Sequence, residues 1–176
     1  LNDGHGKFGE AAGVRDVFAW KNLPSTDCPT GVCIADLNRD GLPDIIVANR
    51  SDKPANYVCL NRGRGRFDTD CMPFARYPAT TITPADINHD GLIDLVVPHR
   101  DGGQSYVYVA GRGSSFSDSS RVPFGPRDAT IRMTEVADFN GDGFLDIVAI
   151  DERTGVSLYF GQRDGTFSSA IGVGDR

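Results

Sequence analysis

The stretch Ala85-Asp86-Ile87-Asn88-His89-Asp90-Gly91-Leu92-Ile93-Asp94-Leu95-Val96-Val97 decides the fold of this chain, because it occurs three times. Its copies at 35–47 and 137–149 align with it without gaps, at offsets of 50 and 52 residues. A second pattern keeps the same period, an apolar residue followed seven positions later by phenylalanine in a glycine-rich turn. Its copies are Leu60/Phe67, Val109/Phe116, Phe160/Phe167 and Leu1/Phe8. The chain is therefore an array of repeats of about 50 residues.

Each repeat contains four strand-like runs separated by turns. In the first complete repeat these runs are 31–35, 44–49, 56–61 and 67–77. The second run is continuously apolar, which predicts a strand buried on both faces. Four strands in about 50 residues is typical of a β-propeller blade, whereas paired helices would need a 3.6-residue periodicity that is absent. We therefore expect an all-β fold, with three complete four-stranded blades and one extra strand at about 8–20.

The repeat predicts a single β-propeller segment over residues 1–176. Residues 1–23 are expected to contribute the outer strand of a preceding blade, and the complete blades span 24–78, 79–127 and 128–176. Three blades do not close a ring, since propellers have about four to eight. The opening residues Leu1-Asn2-Asp3-Gly4 resemble the middle of a repeat. We therefore expect a piece of a longer propeller that self-associates when it is isolated.

The most distinctive chemistry lies in the loop Asp-x-Asn-x-Asp-Gly-x-x-Asp, which has oxygen ligands at positions one, three, five and nine. Glycine at position six permits a positive-φ turn, and position seven offers a backbone carbonyl. This oxygen set suits calcium, whereas zinc prefers nitrogen or sulfur and magnesium needs a tighter octahedron. An EF-hand is excluded, because its glutamate at position twelve is replaced by Val47, Val97 or Ala149.

We predict about three structural calcium ions per chain, one in each loop. An ordinary turn also favours Asp and Asn, but it does not need four ligand-type residues at fixed spacing three times over. The predicted metal ligands are Asp36, Asn38, Asp40, Leu42, Asp44, Asp86, Asn88, Asp90, Leu92, Asp94, Asp138, Asn140, Asp142, Phe144 and Asp146.

Charge and hydropathy exclude two classes of partner. The net charge of −6 and the acidic isoelectric point argue against nucleic acid. The longest apolar runs have the length of a strand, far below the ~20 residues of a membrane helix. We therefore expect neither nucleic-acid binding nor membrane insertion.

Four cysteines, Cys28, Cys33, Cys59 and Cys71, leave three disulfide pairings open. They lack the paired CxxC spacing of a zinc site. Local disulfides Cys28–Cys33 and Cys59–Cys71 would close two short loops and would indicate an oxidising, extracellular compartment. The alternative is four free thiols in a cytosolic protein.

The Asp-rich loops, followed by Ile-Ile-Val or Ile-Val-Ala, resemble FG-GAP repeats, also called VCBS-type repeats. Such repeats form the head propellers of integrin α-subunits and occur in many secreted bacterial and fungal proteins. The resemblance covers nearly the whole chain and implies a calcium-stabilised propeller as the parent, most commonly seven-bladed, although related propellers have other blade numbers. The Phe-Gly pair of the family occurs once, at Phe8-Gly9, and elsewhere the phenylalanine is followed by Asp68, Ser117 or Ser168. The family does not specify a ligand.

No enzyme motif stands out, since there is no nucleophile elbow, P-loop or His-Glu-x-x-His segment. The histidines His5, His89 and His99 do not form a group, and nothing brings together the carboxylates Asp101, Glu135, Asp151 and Glu152. We therefore expect a non-catalytic, extracellular or cell-surface module that binds a protein or glycan, as in adhesion. One alternative is a lectin that binds sugars between blades, with Trp20 as the stacking aromatic. Another is part of a propeller polysaccharide lyase.

Overall fold

The computed structural model describes residues 28–50, 56–64, 66–67, 71–168 and 171–172. This part of the chain forms three antiparallel sheets of four strands each, and each sheet corresponds to one repeat. The first blade has β1 (Pro29–Ala35), β2 (Asp44–Asn49), β3 (Asn56–Cys59) and β4 (Met72–Phe74). The second has β5 (Thr83–Ala85), β6 (Asp94–Val97), β7 (Gly103–Gly111) and β8 (Ser115–Ala129). The third has β9 (Ile131–Ala137), β10 (Asp146–Asp151), β11 (Gly155–Tyr159) and β12 (Ile171–Gly172).

The structure confirms the all-β fold and the three four-stranded blades. The strands of each blade follow one another as a meander, so sequence neighbours are also sheet neighbours. The apolar second strands lie inside the sheets, and all four residues of β6 are buried. The predicted extra strand at 8–20 and Trp20 lie outside the described residues, and the blade boundaries stay predictions.

The fourth strand of the first blade is shorter than the predicted run at 67–77. Its ladder covers only Met72–Phe74, whereas Phe67 forms an isolated bridge with Asn61. Phe167 bridges Gly161 in the same way, and Phe116 pairs with Ala110 at the end of the β7–β8 ladder. The repeated phenylalanine therefore closes the hairpin between the third and fourth strands of each blade.

The hydrophobic core lies between the blades. Ile46, Val58 and Phe74 of the first blade pack with Leu95 and Tyr108 of the second. A separate cluster joins the second and third blades, with Val96, Val107, Phe124, Ile147 and Tyr159 among its members. Because β6 alternates between the two clusters, the second blade has an apolar interface on each face of its sheet.

The inner strands of adjacent blades approach each other closely. The Thr30 hydroxyl donates to the carbonyl of Ala79 at 2.7 Å, and that of Thr83 donates to the carbonyl of Thr134 at 2.7 Å. A Cβ atom at Gly31 would lie 2.7 Å from the carbonyl oxygen of Thr80. The absence of a side chain at Gly31 thus permits backbone contact between the first two blades.

The outer faces of the first and third blades carry exposed apolar side chains. Val32 and Ile34 on β1 are 71% and 66% exposed, while Ile82, the repeat equivalent of Val32, lies between two blades and is 6% exposed. On the third blade, Met133, Ile150 and Val156 are between 38% and 47% exposed. These are the surfaces that the expected self-association would use, and that association stays a prediction.

The cysteines are only partly arranged as expected. The disulfide Cys59–Cys71 is present and joins β3 to the segment before β4. The predicted Cys28–Cys33 disulfide is wrong, because both thiols are free. Since β1 begins at Pro29, the separation of five residues from Cys28 to Cys33 corresponds to about 16 Å of extended chain, well beyond disulfide reach. Burial raises the pKa of the Cys33 thiol to about 11.

Carboxylates outside the predicted calcium loops form contacts between blades or stabilise turns. Asp101 forms an ion pair with Arg50 of the first blade at 2.9 Å, and Glu152 forms one with Arg100 of the second at 2.8 Å. The hydrogen bond from Arg50 lowers the pKa of Asp101. These two carboxylates therefore have structural contacts between blades.

Asp151 organises the connection between the second and third blades. Its carboxylate accepts hydrogen bonds from the N–H of Thr130 at 2.8 Å, from the Thr130 hydroxyl at 2.9 Å and from the N–H groups of Arg153 and Thr154. Burial by itself raises the pKa of Asp151, but these hydrogen bonds outweigh it and hold the pKa below its ordinary value.

We expect Asp151→Asn to lower the free energy of unfolding by about 2 kcal/mol at neutral pH, because the charged acceptor of several hydrogen bonds is lost. Since the pKa of Asp151 is lower in the folded state, its stabilisation is present above the ordinary aspartate pKa and is lost as the pH falls through the folded pKa. Urea unfolding from pH 7 to pH 3 measures both effects. Asp128→Asn, at a carboxylate that is 78% exposed, is the control. An equal difference between wild type and Asp151→Asn at every pH would contradict the assignment.

Among the described residues, none belongs to a helix long and apolar enough to cross a bilayer.

Candidate metal centre and interblade clefts

Each repeat has an Asp-rich loop between its first and second strands, here called Asp loop 1 (36–44), Asp loop 2 (86–94) and Asp loop 3 (138–146). Positions one to nine are counted from the first aspartate. Position six adopts a positive φ in every loop, at Gly41, Gly91 and Gly143. The turn that the glycine pattern predicted is therefore present three times.

The aspartate at position nine is a buried connector. Asp44, Asp94 and Asp146 are each 0% exposed and begin the second strand of their blades. One carboxylate oxygen of each accepts the N–H of position two, at 2.8–3.0 Å. The other accepts the N–H of a residue at the end of the third strand, at 2.8–2.9 Å. Each aspartate thus joins the loop to two strands of its own blade.

The position-nine aspartate also connects the two repeated sequence patterns, the Asp-rich loop and the phenylalanine turn. The N–H groups bound at the end of the third strand belong to Asn61, Ala110 and Gly161. These residues are the bridge partners of the repeated phenylalanines Phe67, Phe116 and Phe167. The Asp loop and the phenylalanine turn are therefore adjacent parts of one hydrogen-bonded unit. Spacing alone predicted position nine only as a metal ligand and missed the role in these hydrogen bonds.

The remaining polar side chains of each loop converge near its surface. The position-one aspartate accepts the N–H of the position-six glycine at 2.8–2.9 Å. The position-five aspartate accepts the N–H of position seven at 2.7–2.9 Å. The position-three asparagine donates to the position-five carboxylate at 2.8–3.1 Å. Positions one, three, five and seven are thus brought together, with position nine lying deeper in the blade.

A hard cation fits this donor set, and Asp loop 2 shows why. Oδ1 of Asp86 is buried without a hydrogen-bond partner in the described region, whereas the matching oxygens of Asp36 and Asp138 accept backbone N–H groups. Burial raises the pKa of Asp94, and the nearby carboxylates Asp90 and Asp86 raise it further. A divalent cation would satisfy the free oxygen and offset this repulsion.

The loops are not built from carboxylates alone. Within the described ranges, no three carboxylate, imidazole or thiol groups stand together at a spacing suited to a metal ion. The reason is that position nine turns into the blade and position three supplies an amide. A cation held here would need the amide and carbonyl oxygens of positions three and seven as well.

Two clefts occur at equivalent places between adjacent blades. The first, near 410 Å³, lies between Phe74 and Phe116. The second, near 590 Å³, is bordered by Gln104, Phe124, Arg127, Tyr159 and Phe167. Each cleft lies beside the same aromatic group, in which a phenylalanine of one blade contacts a tyrosine and the repeated phenylalanine of the next. The centroid distances are 5.5 and 5.8 Å beside the first cleft, and 5.8 and 6.1 Å beside the second.

The second cleft has polar groups on its walls. Nε2 of Gln104 donates to the carbonyl of Phe124 at 2.7 Å and lies 3.1 Å from that of Gly125, which leaves Oε1 as the acceptor for a ligand. Arg127 is exposed and forms no ion pair within the described region. Gly125 has a φ of 68°, and a Cβ atom there would lie 3.1 Å from the Tyr159 hydroxyl. The glycine therefore gives Tyr159 its place beside the cleft.

Histidines and carboxylates do not combine into a proton-transfer site in the described region. His89 lies in Asp loop 2 and contacts the carbonyl of Gly143 at 3.0 Å, whereas burial lowers the pKa of His99. His5 lies outside the described residues. The carboxylates of Asp101, Asp151 and Glu152 are held by the contacts given above.

Comparison with known families identifies the repeat. A sequence profile described as FG-GAP-like repeat matches residues 36–97, 86–149 and 138–175. The chain belongs to the FG-GAP-like repeat family. Each match begins at the first aspartate of an Asp loop, so the FG-GAP-like unit includes the loop and the strands that follow it. No curated protein matches the chain.

A solved structure with the same fold is a lectin of Agrocybe aegerita, described as specifically recognising non-reducing terminal N-acetylglucosamine. The TM-score is 0.57 at 21% sequence identity, and the similarity covers 86% of this FG-GAP-like chain. The chain spans only 40% of that lectin. At this identity the similarity shows the fold.

Proposed function

We propose that this chain is a calcium-stabilised, extracellular β-propeller module that binds glycans without catalysis, in the clefts between its blades. The observation that supports glycan binding most directly is the repeated cleft, with the same aromatic group at both blade junctions. Sugar rings pack against aromatic side chains, and their hydroxyl groups need nearby donors and acceptors. Gln104 and Arg127 supply both kinds of group at the second cleft.

Calcium has a structural part in this proposal. The ion would be held by side-chain oxygens at positions one, three, five and nine and by the carbonyl at position seven of each Asp loop. It would supply positive charge near the carboxylates of positions one, five and nine. The chain's own buried hydrogen bonds at position nine transmit the loop geometry to the strands.

The extracellular assignment is supported by the Cys59–Cys71 disulfide, since stable disulfides form mainly in oxidising compartments. The similarity to a lectin favours a glycan over a protein as the first ligand class to test. Protein binding in adhesion is the alternative. It would be favoured if a glycan array gave no signal while a partner protein bound in a calcium-dependent way.

Two measurements test the proposal. Calorimetric titration of chelator-stripped protein with calcium should detect about three sites per chain. Binding to an array of terminal sugars should then be measured in calcium and in chelator. No heat with calcium overturns the metal assignment, and release of cleaved product from a bound glycan overturns the non-catalytic assignment.

We expect Gln104→Ala to weaken binding of an array-selected glycan about tenfold, which corresponds to the loss of one or two hydrogen bonds. Arg112→Ala removes an exposed side chain about 25 Å away along β7 and is the control. Isothermal titration with the monovalent sugar measures the affinity. Unchanged affinity in Gln104→Ala would exclude the second cleft as the binding site.

A further inference from the structure

The side chain at position four of one Asp loop reaches the next Asp loop. Arg39, at position four of loop 1, donates to the carbonyl of Gly91, at position six of loop 2. His89, at position four of loop 2, lies with Nε2 3.0 Å from the carbonyl of Gly143, at position six of loop 3. Because a carbonyl oxygen only accepts, Nε2 of His89 carries the hydrogen. The same two positions are therefore connected at both blade junctions.

The backbone at position four has a conformation that is unfavourable for a residue with a side chain. Arg39 and His89 have φ values of 60° and 57°, in the left-handed region that favours glycine. Loop 3 does have glycine there, and Gly141 has a φ of 75°. A side chain at this position costs free energy that glycine would avoid. In loops 1 and 2 the residue with this unfavourable backbone conformation contacts the next loop. In loop 3 the same position is Gly141, which has no side chain to make such a contact.

The contacted glycine is hydrogen-bonded to a predicted ligand of its own loop. The N–H of Gly91 donates to Asp86 at 2.9 Å, and that of Gly143 donates to Asp138 at 2.9 Å. The next residue in each loop, Leu92 or Phe144, is the predicted carbonyl ligand. A contact that fixes position six therefore orients the ligands at positions one and seven.

We propose that Arg39 and His89 are positioning residues that couple the three cation sites, so that calcium binding to one loop favours binding to the next. The proposal rests on the calcium binding proposed above. An ion that orders loop 1 also orders Arg39, and loop 2 then loses less conformational entropy when it binds its own ion. By linkage, an ion in loop 2 favours loop 1 equally. Loop 2 accepts the contact from Arg39 and contacts loop 3 through His89, so it is the central one of the three coupled sites.

Paired ligand variants test the arrangement. Asp86→Asn disables the central loop, so the two remaining sites should bind calcium independently. Asp138→Asn disables the terminal loop, so loops 1 and 2 should stay coupled through Arg39. Calcium titration calorimetry on the full chain, fitted for site number and cooperativity, distinguishes these results. Two coupled sites in both variants, or two independent sites in both, would overturn the proposal.

Variants of the contacts themselves provide the second test. Arg39→Ala and His89→Ala should each reduce the cooperativity and weaken the affected site about fivefold, at the lower end of typical coupling. His89→Gln keeps a donor and should restore part of the cooperativity. Arg112→Ala removes a similar charge from the β7–β8 turn, in which the Ser114 hydroxyl donates to the carbonyl of Leu37 in loop 1. It is expected to leave the cooperativity unchanged.

Calcium binding and coupling between the calcium sites are contradicted by different results. Wild-type protein that binds no calcium would overturn both the calcium assignment and the coupling. Three calcium sites that bind independently in wild type, or whose cooperativity is the same in Arg39→Ala and His89→Ala, would overturn the coupling alone. Melting temperatures in chelator should be nearly equal among these variants, because the contacts lie at exposed side chains.

Discussion

Replacement of Asp94 by alanine is expected to lower the free energy of unfolding by about 3 kcal/mol, in chelator as well as in calcium. The side chain is 0% exposed, and its two oxygens accept the N–H groups of Ile87 and Ala110 at 3.0 and 2.8 Å. Without the carboxylate, both donors are left in a buried site that offers no other acceptor. Chemical unfolding followed by circular dichroism, in each buffer, measures the loss.

Asp90→Ala is the matched control for this experiment. Asp90 belongs to the same loop, but it is exposed, and water can replace the hydrogen bond that it accepts from Leu92. We expect it to lower the melting temperature in calcium and to have little effect in chelator. If Asp90→Ala were equally damaging in chelator, it would be an ordinary turn residue. If Asp94→Ala were harmless in chelator, the connector role of position nine would be wrong.

Loss of the Cys59–Cys71 disulfide is expected to lower the free energy of unfolding by about 3 kcal/mol. The bond closes a loop with a sequence separation of 12 residues, for which the reduced entropy of the unfolded chain gives a stabilisation of this size. It also joins β3 to the residue just before the short β4, whose ladder has only three residues. Cys71→Ser should therefore shift the urea midpoint strongly.

Cys28→Ser provides the comparison, because Cys28 is exposed and free. It should leave the midpoint unchanged, and reductant should affect wild type and Cys28→Ser equally while leaving Cys71→Ser unaffected. A peptide map of unreduced protein should recover Cys59 and Cys71 linked. Recovery of both as alkylated thiols would contradict the disulfide and remove the support for an extracellular location.

The accuracy of the sequence-based predictions depended on how local each feature is. Strand β2 occupies 44–49, as the apolar run after the Asp loop predicted. The glycine at position six adopts the predicted positive φ in all three loops. These features depend on residues a few positions apart, so turn chemistry and apolar patterning are sufficient to predict them.

Other features could not be predicted from the sequence, because they join residues about 50 positions apart. No local signal shows that Arg39 meets Gly91 or that Arg50 meets Asp101. Such contacts depend on the stacking of one sheet against the next. A comparison of the same loop position across repeats could have found the Arg39, His89 and Gly141 series, since glycine in one copy indicates a left-handed backbone in all.

The sequence by itself determined the repeat, the all-β blade and the polar make-up of the Asp loops, since these follow from alternation, turn residues and spacing within one repeat. Only the tertiary structure decided how each polar group is used. It placed the position-nine aspartates in buried sites between strands, where unpaired N–H groups are costly. It also held Cys28 and Cys33 apart, because strand extension separates neighbours in sequence. Finally, packing of one blade on the next created the clefts and the contacts between loops, which no single repeat contains.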